Sequence, residues 1–144
     1  MYDRTISDRI TDLELLYTAQ RHLQETEEDP AYAELATTHA LTTIRNQFRQ
    51  DGGTYHVLTY DPKSGQVIKR WAAQGFGDES TWARGQAWAI HGFARSAQMT
   101  DLLARADGQT GTFLGRQEFV QQAKLAADYF IFKLDRPPAF VPAW

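Results

Sequence analysis

Cysteine is absent from the 144-residue sequence, so neither a disulfide framework nor a thiolate metal site can be built from it. Nothing ties the chain to an oxidising compartment, and a cytoplasmic location is the expectation. An excess of one charge is missing too: 15 Lys and Arg stand against 18 Asp and Glu, a formal net charge of −3. Nucleic acid and anionic membranes are normally met by a basic patch, so neither is expected as a partner. There is no basic-then-apolar leader and no long uncharged apolar run, hence no expected signal peptide or membrane span. The four histidines, His22, His39, His56 and His91, lack the close pairing or carboxylate arrangement typical of zinc sites. No metal and no cofactor is expected.

What the sequence does hold is 42% hydrophobic residues, 12% of the chain being aromatic, enough for one modest core and so for one domain or part of one. Ile6, Ile10, Leu13, Leu16, Tyr17 and Leu23 recur at three- and four-residue steps, which predicts a one-sided helix over 6–26. The acidic run Glu25-Thr-Glu-Glu-Asp-Pro30 breaks it, and Asp29 with Pro30 reads as the cap and first residue of a second helix over 30–50. Its inner stripe is expected to include Tyr32, Leu35, Ala36, His39, Ala40 and Phe48. Asp51-Gly-Gly53 ends that helix, and 54–71 reads as a β-hairpin about the turn Asp61-Pro-Lys-Ser-Gly65. A third helix over 82–98 and a fourth over 115–134, the latter with Phe119, Ala123, Ala126, Ala127, Phe130 and Ile131 inward, complete the pattern. Four helices in two hairpins, with a short β insertion, make the fold class all-α. Helical hairpins in a ring or solenoid cover one another's apolar faces, so two hairpins by themselves predict open apolar sides and self-association through them.

The densest stretch is Gln74-Gly-Phe-Gly-Asp-Glu-Ser-Thr-Trp-Ala-Arg-Gly-Gln-Ala-Trp-Ala-Ile-His-Gly-Phe93. Ser80 or Thr81 is suited to cap the helix, with Asp78 and Glu79 against its positive end. Helical spacing puts Arg84, Trp88 and His91 along one side and Trp82, Gln86, Ala89 and Phe93 along its neighbour. Gly85 and Gly92, two turns apart, each cost about 1 kcal/mol in a helix unless a close approach offsets it, which predicts that something packs against this helix at short range. The same pattern also fits a core helix whose aromatics only pack, with Arg84 snorkelling to water.

Trp82-Ala-Arg-Gly-Gln-Ala-Trp88, preceded by Gln74-Gly-Phe-Gly-Asp-Glu-Ser80 and followed by Ile90-His-Gly-Phe93, closely resembles the motif of the unsaturated glucuronyl hydrolases, glycoside hydrolase family 88. The resemblance implies an (α/α)6 barrel of which 1–144 is the C-terminal part, the N-terminal half of the barrel and its second functional aspartate having no counterpart here. It places Ile6-Ser-Asp8 and Leu13-Glu-Leu-Leu-Tyr17 on a family segment that makes Asp8 the catalytic acid and base. It likewise implies substrate binding by His56, Gln74, Arg84 and Trp88, with Trp82 adjacent. The implied reaction removes a 4,5-unsaturated uronic acid from an oligosaccharide. One carboxyl group protonates C4 and activates water for attack at C5, and the resulting hemiketal opens to release the sugar alcohol. Such a group needs a pKa near the working pH.

An Arg beside a Trp suits this ligand, because a guanidinium holds a carboxylate by two hydrogen bonds while an indole covers an apolar sugar face. The sequence departs from the family where Arg9 and Asp12 flank Asp8, and where His91 replaces a common Tyr. Two other readings remain open. One is a non-catalytic sugar-binding or interaction module that keeps the Arg84 and Trp88 face. The other is a related hydrolase of unsaturated rhamnogalacturonan, against which Gln86-Ala-Trp88 argues.

Overall fold

The computed structural model describes residues 3–6, 10–23, 31–106 and 115–134. Strand β1 (Asp3–Ile6) is followed by helices α1 (Leu13–Leu23) and α2 (Tyr32–Gln47), strands β2 (Val57–Tyr60) and β3 (Val67–Trp71), and helices α3 (Ala83–Ala106) and α4 (Arg116–Leu134). The strands form one antiparallel sheet in the order β1-β2-β3, with Ile6 opposite Val57 and Val57 opposite Trp71. Helices α1 and α2 pack as one hairpin, α3 and α4 as another, and α3 also lies along α1.

The helix expected from Ile6 starts instead at Leu13. Ile6 and Ile10 have helical spacing by coincidence: Ile6 belongs to β1, while Ile10 is buried in the turn before α1. Non-local pairing with β2 outweighs a local period here, and the expected two-stranded hairpin gains a third strand. Thr26, Asp29 and Pro30 lie outside the described residues. Two apolar residues assigned to inner stripes face outward: Leu35 on α2 and Ile131 on α4 are 57% and 55% exposed. Phe48 falls just past α2, in a bridge to Thr54. Helix α3 runs eight residues beyond the expected Gln98, to Ala106, because Met99, Leu103 and Ala104 keep its inner stripe buried.

The core lies where the two hairpins meet. Phe93 is fully buried and contacts Phe48 and Phe119 at ring-centroid distances of 5.5 and 6.1 Å. Ala33, Ala36 and Ala40 allow α2 to sit close to α1, and Tyr17 reaches across to Thr37 with its hydroxyl at 3.0 Å. Burial pushes the Tyr17 hydroxyl up to about 12, the Thr37 hydrogen bond opposing that shift. Glu14 of α1 accepts from Arg95 of α3, and this bond holds the carboxyl below its ordinary value. At Gly92 a Cβ would lie 2.8 Å from Ile10 Cγ1 and 2.9 Å from its carbonyl oxygen. The close approach predicted for this helix is therefore the turn before α1, seated on α3.

Candidate functional site

Residues 54–56, leading into β2, are held by two buried glutamines. Gln47, at the end of α2, donates from Nε2 to the carbonyls of Tyr55 and His56, both at 3.1 Å. Gln86, on α3 and 1% exposed, accepts from the Thr54 N–H at 3.0 Å and donates to the carbonyls of Gly52 at 2.8 Å and Ala126 at 3.0 Å. Every polar atom of the Gln86 amide is thereby engaged, and α3, α4 and the approach to β2 are joined at one side chain. Unpaired amides at such depth would cost about 1–3 kcal/mol each.

His56, only 3% exposed, is thereby fixed in place. Its Nδ1 lies 3.0 Å from both the N–H and the carbonyl oxygen of Gln74. A neutral ring accepts from the first and a protonated ring donates to the second, so this nitrogen keeps a partner in either state. The His56 ring stacks on Trp82 with centroids 4.4 Å apart and planes at 32°. Trp82 in turn meets Trp88 edge-on at 5.3 Å and 85°. Over the two indoles lies the guanidinium of Arg84, 4.2 Å from the Trp82 ring and 5.6 Å from that of Trp88. Arg84 Nη2 donates to Gln74 Oε1 at 2.8 Å, which closes the circuit back to His56.

The structure thus brings together His56, Gln74, Trp82, Arg84 and Trp88. Helical spacing alone links only Arg84 with Trp88, since Trp82 falls on a neighbouring side and His56 and Gln74 come from outside the helix. Asp8, the sixth candidate, lies outside the described residues. His91 is not part of the cluster: it is exposed and its Nε2 lies 4.0 Å from Glu14. The helix-capping expectation needs correction as well. Ser80 turns back on Gly77, its hydroxyl 2.7 Å from that carbonyl, and the Thr81 hydroxyl receives Tyr129 OH at 3.1 Å together with Arg49. A depression of about 380 Å³ between the start of α3 and α4, lined in part by Thr81, Tyr129 and Lys133, lies apart from the cluster and holds none of its five residues.

Chemically the cluster is a cation held against two aromatic rings, with solvent on its open side. A guanidinium carries five N–H donors in a fixed plane, one of which is used by Gln74. What it suits is a planar anion attached to a ring with an apolar face.

No family model matches the chain. It is 34% identical over 139 residues to the unsaturated glucuronyl hydrolase of Formosa agariphila, covering 96% of this chain and 30% of that protein. The chain's relatives are unsaturated glucuronyl hydrolases, with streptococcal unsaturated chondroitin disaccharide hydrolases among them. The solved hydrolase of Bacillus sp. GL1, described as responsible for the degradation of glycosaminoglycan, superposes with a TM-score of 0.75 at 32% identity, covering 92% of this chain and 30% of its own. A Streptococcus agalactiae unsaturated glucuronyl hydrolase variant in complex with dGlcA-GalNAc6S matches with a TM-score of 0.57 at 27% identity, over 91% of this chain and 29% of that one. The two helical hairpins thus match part of the α/α barrel of solved unsaturated glucuronyl hydrolases. The chain spans about 30% of the length of the relatives it matches.

Proposed function

We propose that this chain carries the uronate-binding face and the acid–base carboxyl, Asp8, of a glycoside hydrolase that removes 4,5-unsaturated uronic acid from oligosaccharides. The observation that carries this reading is the position of Arg84, its guanidinium 4.2 Å from the Trp82 ring and 5.6 Å from that of Trp88 and tied through Gln74 to His56. The guanidinium pairs with the uronate carboxylate, the less buried indole, Trp88, receives the ring, and Trp82 and His56 hold the guanidinium in place from behind. The streptococcal relative, bound to dGlcA-GalNAc6S, supports an unsaturated uronyl disaccharide as ligand.

Support for Asp8 comes from its neighbours in sequence. Ile6, two positions before it, pairs with Val57, which follows His56. Ile10, two positions after it, is seated on Gly92 of the helix that bears Arg84 and Trp88. The Asp8 carboxyl protonates C4 of the ligand and, as carboxylate, takes a proton from the water that attacks C5. The hemiketal so formed opens, and the sugar alcohol leaves.

Because the chain spans about 30% of its relatives' length, a second reading is that this face binds the sugar without turning it over. The two are separated by incubating the protein with an unsaturated uronyl disaccharide and following the ultraviolet absorbance of the conjugated double bond, with binding measured by calorimetry. Decay of the absorbance supports the hydrolase, binding without decay supports the module, and absence of both overturns the two together.

A further inference from the structure

Phe76 is 88% exposed, the most exposed of the large hydrophobic side chains among the described residues. A single exposed phenyl is ordinary on a protein surface, but this one is mounted unusually. On one side, Gln74 is bonded to His56 and receives Arg84. On the other, Asp78 Oδ1 accepts the Ala72 N–H at 2.9 Å, and Ser80 Oγ both donates to the Gly77 carbonyl at 2.7 Å and accepts the Gly77 N–H at 3.1 Å. Gly75, at φ +111°, takes a conformation that side chains rarely adopt. Phe76 is therefore the apolar apex of a loop whose two legs are fixed. Among the described residues none buries the ring, so its apolar surface is free to meet a ligand.

The apex stands next to the cluster. Two residues of chain span at most about 7 Å, so the Phe76 backbone lies within one sugar's reach of Gln74, whose side chain holds Arg84. Building on the reading of the Arg84 face given above, we propose that Phe76 is the platform for the sugar that follows the unsaturated uronate, the apolar C–H face of its pyranose ring lying on the phenyl group. Phe76 would then select for ligands with a sugar, rather than a small alcohol, in the leaving position. The Arg84 cluster reads the uronate, and the loop apex reads what is attached to it.

The test uses the 144-residue chain and calorimetric titration with two probes: an unsaturated uronyl disaccharide and the methyl glycoside of the same unsaturated uronate. Phe76→Ala is expected to weaken the disaccharide about three- to tenfold, the range of a lost stacking contact, and to leave the methyl glycoside unchanged. Phe76→Trp is expected to restore the disaccharide. Equal weakening of both probes, or of neither, overturns the platform, even with the Arg84 reading intact. Neither probe binding to the unaltered chain overturns the Arg84 reading and the platform with it. A shift in oligomeric state for Phe76→Ala, with both affinities unchanged, makes Phe76 a protein contact instead.

Discussion

Gln86 Oε1 accepts the Thr54 N–H at 3.0 Å across 32 positions of sequence. This bond joins the helix that carries Arg84 and Trp88 to the segment that delivers His56. The other two bonds of the Gln86 amide, to Gly52 and Ala126, make it a joint between three parts of the fold. Gln86→Leu keeps the volume and leaves one N–H and two carbonyls without this partner. At about 1–3 kcal/mol for each unpaired buried group, a loss of about 3 kcal/mol or more is expected. Urea unfolding followed by circular dichroism measures it, and a loss under about 1 kcal/mol would show that the segment around Thr54 holds itself.

Gly92 sets how closely the turn before α1 approaches α3. In Gly92→Ala the new methyl would lie under 3.0 Å from both the Ile10 side chain and its carbonyl oxygen. Helix propensity favours Ala by about 1 kcal/mol, while overpacking costs about 1–3 kcal/mol. Since one of the two contacts is backbone, the clash is expected to win, and the variant should be less stable by about 1 kcal/mol. A stabilised variant would mean that the turn yields at little cost.

How much of this could be read from the sequence depended on whether an interaction is local. The α3 motif announced its aromatics, its cation and its glycines because their spacing is helical, and Gly92 does mark a close approach. Strand β1 could not be seen, because Ile6 and Ile10 mimic a helix period and the partner that decides between the two, Val57, is 51 positions away from Ile6. Leu35 and Ile131 have the chemistry of inner residues and face outward, since a period of 3.6 cannot tell which of two adjoining stripes a neighbour will cover. Gln47 and Gln86 carried no signal as supports of His56, because a buried glutamine looks in sequence like any polar residue on a helix. Asp8 was reached only through resemblance.

Tyr17 gives the fold a limit at high pH. Its hydroxyl is buried against Thr37 and its pKa is raised from 10.0 to about 12. A raised pKa means that the folded state holds the proton more tightly than the unfolded chain. The contribution is therefore complete below pH 10 and lost as pH rises towards 12, amounting to roughly 2–3 kcal/mol. Tyr17→Phe should be less stable at neutral pH by about 1 kcal/mol through the missing hydrogen bond, yet lose less stability between pH 10 and 12. Denaturant midpoints across that range decide it. Parallel alkaline decline in both proteins would assign the loss to other groups.

The proposed chemistry makes opposite demands on Arg84 and Asp8, and substitution can separate them. Arg84 meets the ligand in its ground state, so Arg84→Ala should weaken binding of an unsaturated uronyl disaccharide by about 2 kcal/mol. Arg84→Lys should recover little, because an ammonium is a compact point charge that does not form a planar fork for a carboxylate. Asp8 acts by moving a proton, so Asp8→Asn should bind the disaccharide nearly as well as the unaltered protein and lose turnover by about 10² or more. Calorimetry gives the first quantity and the decay of ultraviolet absorbance the second. The comparison that decides the assignment is Asp12→Asn, since Asp12 lies four positions further on, is exposed, and precedes α1. If Asp12→Asn abolishes turnover while Asp8→Asn keeps it, the acid–base role belongs to Asp12. If the unaltered protein turns over and neither substitution slows it, neither Asp8 nor Asp12 is the acid, and another group of the chain supplies the proton.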